Sequence, residues 1–131
     1  MKNLSLYLKY WKETYKLKNI YCTTARFPFF KIAAEYLLNN KDSVIVDIGA
    51  GDANFIDSLK LDKKYEKIYL LDVNQTTVLN LKKRFKNVIL HKVPDKLPFN
   101  EISVDYIHCS HLIEHLNYEV FYKFLKDIDL F

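Results

Sequence analysis

Glycine is almost absent from this chain: among 131 residues only Gly49 and Gly51 are glycine, where average usage would give about nine. Two glycines one residue apart mark a place that needs bare backbone. Cysteine is scarce as well. Cys22 and Cys109 lie far apart and outside any metal-type spacing, which excludes a disulfide framework and favours reduced packing thiols. No apolar run is long enough to span a membrane, and the opening "MKNLSLYLKYWKE" is broken by Lys9 and Lys12 before a signal-peptide core can form; a soluble, cytoplasmic protein is expected. Internal repeats, low-complexity stretches and linkers are also missing, so the chain reads as one domain.

What is present is a globular composition, with half of the residues hydrophobic, enough for a real core. The net charge of +4 is uneven: residues 1–40 carry seven Lys or Arg against Glu13 and Glu35, and the remainder carries thirteen against fourteen acids. The basic character belongs to the first forty residues. Charge of this kind can face an anionic partner or simply solvate a helix, so it selects no function by itself. Leu4, Tyr7, Leu8, Trp11 and Tyr15 recur at helical spacing, and "FPFFKIAAEYLLNN" predicts a second helix, with Pro28 near its first turn and Asn39-Asn40 ending it. Residues 1–40 are therefore expected to form a helical arm or lid, and residues 41–131 the α/β domain.

From Ser43 the pattern changes. "SVIVDI" is short, continuously apolar and β-branched, as suits a strand buried on both faces of a parallel sheet. "GAGDANFIDSLK" follows as a turn opening a helix. "KIYLLDV" predicts a second strand, "QTTVLNLKKRF" a helix, "NVILHKV" a third strand and "SVDYIHCS" a fourth. In "YEVFYKFLKDIDLF", Phe121, Phe124, Leu125 and Ile128 share a helical face. Strands alternating with helices predict a three-layer, Rossmann-like, doubly wound α/β sheet.

A strand, a Gly-x-Gly turn and a helix make a general nucleotide cradle. The acids around it narrow the ligand. Asp72 ends the second strand, twenty-one residues after Gly51, where a carboxylate can accept both ribose hydroxyls of an adenosine. Asp47 and Asp52 flank the turn and would repel a pyrophosphate, and Asn54 stands where a dinucleotide fingerprint has its third glycine. A nucleoside carrying a cationic group fits better. The alternatives are that the glycines only turn a strand into a helix, and that Asp47 only caps the turn's own amides.

At these positions the chain resembles the class I S-adenosylmethionine-dependent methyltransferases, in their small-molecule branch, over residues 43–131. "VIVDIGAGDANF" is similar to the family's first motif, "IYLLDVN" to its second, "KLPFNEISVDYIHCSHLIEHL" to the segment containing LPF, FD and EHL, and "FLKDIDLF" to the next helix. The resemblance implies S-adenosylmethionine as cofactor, with Asp47, Gly49, Ala50, Gly51, Asp72, Val73, Asp95 and Ser110 around it. One departure stands out. Where the family has an acid facing the adenine amino group, this chain has Val93 followed by Pro94, which also lacks an N–H. Adenine recognition then falls to Asp95 or to apolar sandwiching. In the family the sheet continues through a fifth strand and an antiparallel pair, whereas this chain stops one helix after the fourth. The resemblance thus implies an incomplete C-terminal part, and a rival reading is a truncated relative acting as a binding or interaction module.

"HCSHLIEHL" holds His108, His111, Glu114 and His115, the last three on one face if residues 111–115 are helical. "HLIEH" satisfies the H-x-x-E-H string of inverted zinc peptidases, but that mechanism needs a further ligand well downstream and only sixteen residues follow His115. No metal is expected. Under the resemblance the turn borders the acceptor pocket, and His111, then His115, are the candidate catalytic bases, imidazole being the side chain that exchanges protons near neutrality; each can instead be a packing residue. The expected partner is a small-molecule methyl acceptor. A membrane is excluded, nucleic acid is disfavoured, and the open sheet edge leaves room for an oligomer.

Overall fold

The apolar runs form four parallel strands: β1 (Val44–Ile48), β2 (Lys67–Asp72), β3 (Val88–Leu90) and β4 (Tyr106–Cys109), joined in the order β3-β2-β1-β4. The structure is a computed structural model that describes residues 20–101 and 103–131. The helices are α1 (Ile20–Ala34), α2 (Asn54–Leu59), α3 (Gln75–Leu81) and α4 (Tyr118–Ile128), with short 3₁₀ turns at Leu61–Lys63 and Ile113–His115. The chain divides into two units after Tyr36. The helix expected over the first fifteen residues lies outside the described residues.

In the first unit, α1 differs from the sequence expectation at both ends. Pro28 sits in the interior of the helix rather than in its first turn, because helical backbone already runs from Ile20. Its missing N–H removes one ladder bond in mid-helix. The helix ends at Ala34, and the Asn39-Asn40 pair stands beyond its end. Asn40 instead shapes the entry to β1, where its side chain accepts the Asp42 amide at 3.0 Å and its carbonyl accepts the Ser43 amide at 3.1 Å.

In the second unit the chain steps outward from β1 to β2 to β3, then crosses back so that β4 pairs with the other side of β1. This is the doubly wound arrangement that the alternation of strands and helices predicts. The register places Asp47 between Leu70 and His108, and Ile48 between Leu71 and Cys109. Side chains alternate across a strand, so Val46, Ile48 and Leu71 face one side, where they pack with Leu97, Phe124 and Ile128. Tyr106 and His108 face the other side, where both rings stack on Phe55 of α2. Helices therefore cover both faces of the sheet. Leu125, expected with the buried face of α4, is 40% exposed, while Phe124 beside it is 2% exposed and anchors the helix. The Asp127 carboxylate accepts the Leu97 amide at 2.7 Å, tying α4 to the segment that follows β3.

The shortage of glycine has a visible cost. Ala53, Lys60 and His111 all adopt left-handed backbone, with φ of 60°, 52° and 58°. Lys60 ends α2, and its amide donates to the Asp57 carbonyl at 3.2 Å, the helix-terminating geometry that glycine fills without a Cβ penalty. Because Lys60 is exposed, Lys60→Gly is expected to stabilise the protein by roughly 0.5–1 kcal/mol, read as a higher urea midpoint; an unchanged or lower midpoint would refute the strain at this cap.

Candidate functional site

The crevice of a doubly wound sheet opens where the strand order reverses, beyond the carboxyl ends of the strands on either side. Here that point lies between β1 and β4, and the chain leaves β1 there through Gly49 and Gly51. Both glycines have positive φ, 73° and 54°. The conformation turns three successive amides back onto β2. The Leu71 carbonyl accepts from Gly49 at 2.8 Å and from Ala50 at 3.0 Å, and Asp72 Oδ2 accepts from Gly51 at 2.9 Å. The other carboxylate oxygen, Oδ1, accepts the Asn74 amide at 2.8 Å. The turn is thus clipped to β2, and these three amides are engaged inside the protein.

The two glycines do different work. A Cβ on Gly49 would come within 3.5 Å of the Leu112 Cβ, whereas a Cβ on Gly51 would meet nothing within 4 Å. Leu112, on the turn after β4, thus lies at ordinary contact distance from Gly49. Gly51 faces open space beside Asp72, where a ligand can approach the backbone.

Asp47 lies on β1 directly below this turn and is almost completely buried, at 3% exposure. Burial first, and the charge of Asp72 second, push its carboxyl up to about 7. Val73, next to Asp72, offers a 60% exposed apolar side chain, and Asn74 then caps α3 by accepting the Thr76 and Thr77 amides. That cap was missed from sequence, although an Asn two residues before paired threonines after a strand is a helix-start signal. Asp95 follows β3 on a turn closed by its amide on the Lys92 carbonyl at 2.8 Å, and its charge reaches His91. Ser110 follows β4 and is half-buried.

The histidine-rich segment is not the helical face that its spacing suggested. Only Ile113–His115 turn, as a 3₁₀ helix, and His111 precedes it in left-handed backbone. His111 Nδ1 lies 3.1 Å from Glu114 Oε1, a partner for His111 that the sequence reading did not name. His115 is exposed, with its amide on the Leu112 carbonyl. His108 is separated from the other two by strand alternation: it stacks on Phe55 with ring centroids 3.7 Å apart, and burial lowers its pKa to about 4. Among the described residues no three His, Cys, Asp or Glu side chains are grouped to hold a metal ion. Cys109 is a free thiol, which burial, then the charges of Asp47 and Glu114, raise to about 11, leaving it unreactive near neutrality.

A family model described as a methyltransferase domain matches residues 46–129. The chain belongs to the class I S-adenosylmethionine-dependent methyltransferase family. The methyltransferase domain is 37% identical over 87 residues to an uncharacterized protein of Methanocaldococcus jannaschii, a match covering 61% of this chain and 33% of that protein. It therefore spans about a third of the length of that curated relative. The crystal structure of a SAM-dependent methyltransferase from Aquifex aeolicus superposes with a TM-score of 0.57 at 24% identity, covering 76% of this chain and 55% of that one. This likeness carries the fold, a Rossmann-like parallel sheet.

The buried carboxyl of the methyltransferase domain makes stability depend on pH. With the Asp47 pKa raised from 3.8 to about 7, the folded state keeps a proton that the unfolded chain releases above about 4. Its contribution is full below the unfolded value and is lost as pH rises through the folded one. Asp47→Asn is expected to gain several degrees in melting temperature over wild type at about pH 8 compared with about pH 5. His108 acts in the opposite sense but is present in both proteins and cancels. An equal difference at the two pH values would show that Asp47 is ionised throughout.

Proposed function

We propose that this domain binds S-adenosylmethionine at the Gly49–Gly51 clip and transfers its methyl group to a small molecule. The observation that carries the reading is the disposal of the turn's donors and acceptors. A phosphate cradle needs outward-facing amides, yet the Gly49, Ala50 and Gly51 amides are all engaged by Leu71 and Asp72. What the turn offers instead is acceptor capacity and negative charge. Each Asp72 oxygen takes one backbone amide, and a carboxylate has about four lone-pair positions in all, so both oxygens can still accept ribose hydroxyls.

The residues fit a phosphate-free, cationic nucleoside. Gly51 leaves open space against the backbone, Asp72 borders it, Val73 provides exposed apolar surface for a base, and Asp47 supplies a second carboxyl that a nearby cation would favour in its ionised form. When bound, S-adenosylmethionine supplies an electrophilic methyl carbon on a sulfonium. The chain's part is then to position the acceptor for in-line attack, and positioning supplies much of the rate in a displacement of this kind. Ser110 and the 111–115 turn, held on the clip through Leu112, border the acceptor side. Asp95, beyond β3, is the candidate for the adenine edge in place of the acid that Val93 replaces. The M. jannaschii relative is uncharacterized and does not refine the acceptor, and the Aquifex aeolicus protein is known here only as a SAM-dependent methyltransferase. Among the described residues no helix is long and apolar enough to cross a membrane.

Titration calorimetry tests the reading. S-adenosylmethionine is expected to bind, ATP to bind far more weakly, and Asp72→Asn to lose more than about tenfold in affinity, or about 1.4 kcal/mol. Asn keeps one of the two acceptor oxygens and sets its NH2 against the other backbone amide, so a melting curve is taken alongside to separate lost affinity from a loosened turn. Absence of S-adenosylmethionine binding at millimolar concentration, or tighter binding of ATP, would sink the proposal.

A further inference from the structure

The His111–Glu114 pair stands on the turn that follows β4. The two side chains are about half exposed, 50% and 51%, so a small molecule can reach them. Two features fix their place. Leu112, between them, packs against Gly49, which seats the turn on the clip. The Glu114 charge also reaches Cys109, the last residue of β4, as does that of Asp47 from β1. His111 itself is held at φ 58°, a backbone that is costly for a residue with a side chain and persists only where its surroundings fix it.

Resting on the cofactor reading above, we propose that Glu114 is a positioning residue that holds His111 as the base for a protic methyl acceptor, one whose reacting hydroxyl or ammonium must lose a proton. A carboxylate against Nδ1 selects the tautomer protonated there and leaves Nε2 as the proton acceptor. The acceptor's proton passes to His111 Nε2, before attack where the acceptor is an ammonium, which has no lone pair until it is deprotonated, and as the bond forms where it is a hydroxyl. The acceptor's lone pair forms the bond to the methyl carbon, and the carbon–sulfur bond breaks with its electron pair remaining on sulfur. The resulting imidazolium is stabilised by the Glu114 carboxylate, and its proton leaves to water from the exposed ring. An aprotic amine or a thioether acceptor has no proton to give and gains nothing from the pair.

The test uses the 131-residue chain and begins without cofactor. Imidazole ¹⁵N spectra at about pH 8 are expected to show His111 protonated at Nδ1 in wild type and in Glu114→Gln, whose amide oxygen can still accept, and shifted toward Nε2 in Glu114→Ala. With labelled S-adenosylmethionine, methyl is expected to reach catechol or benzylamine. His111→Gln should lower kcat about a hundredfold and Glu114→Gln at least about tenfold, with the KM for the cofactor and its calorimetric affinity changed by no more than about twofold. The tautomer retained in Glu114→Gln separates loss of charge from loss of structure. Nε2 protonation in wild type, protic transfer that survives His111→Gln undiminished, or no transfer to either protic probe by a chain that binds the cofactor would each overturn the proposal. Failure of the wild-type chain to bind S-adenosylmethionine would instead overturn the reading beneath it, and calorimetry reports that separately from the spectra.

Discussion

The site depends on one local constraint: the backbone leaving β1 must curl tightly enough for a single carbonyl, that of Leu71, to accept two successive amides while Asp72 takes the third. That geometry requires left-handed backbone at both Gly49 and Gly51. It joins β1 to the end of β2 at the level where the sheet opens, and it fixes Asp72 by two hydrogen bonds rather than leaving a mobile carboxylate at a strand end. The turn after β4 completes the arrangement, with Leu112 at ordinary contact distance from Gly49. Three separate strands are thereby brought to one point by a few polar contacts and one apolar one.

Electrostatics follow from the same clip. A glycine turn at the end of a buried strand usually attracts anions because its amides point outward. Here those donors are turned inward, and the charges left near the opening are carboxylates. Burial, and then the charge of Asp72, make the Asp47 carboxyl ionise reluctantly. A cation brought to this site relieves the repulsion, whereas an anion adds to it. Under the proposed reading, the preference for a cation then follows from which way three N–H groups point, a property of backbone conformation more than of the acids alone.

Much of this was legible in the sequence, for physical reasons that differ by element. β1 announced itself through a continuous β-branched run and is buried at four of its five residues, whereas β4, read from a similar apolar run, is only partly buried along its length. The place of Asp72 at the end of β2 was legible because the spacing from a turn to the next strand end is fixed by one helix and its connections. The histidine segment was not, because i,i+3 and i,i+4 spacings mimic a helix wherever they occur, and the left-handed residue at His111 breaks the periodicity without leaving any composition signal. His108, which the sequence reading left off that face, points from β4 to the side where it stacks on Phe55. Pro28 misled for a related reason: a proline marks where helices prefer to start, but the helical backbone upstream of it decides whether one has already begun.

The glycine count finally separates geometry from function. If positive φ alone called for glycine, Ala53, Lys60 and His111 would be glycine too, since each sits in the same region of backbone space. The chain tolerates that strain at a helix start, at a helix end and after β4, and places its two glycines only in the clip. At Lys60 the side chain projects into water, and at His111 it meets Glu114, so a Cβ there has somewhere to go. A Cβ on Gly49 would sit in ordinary contact with Leu112 at 3.5 Å, and one on Gly51 would meet nothing within 4 Å. Packing inside the protein therefore excludes a side chain at neither position, and left-handed backbone is what the turn itself asks of both. Under the proposed reading, the open space at Gly51 is where the cofactor meets bare backbone.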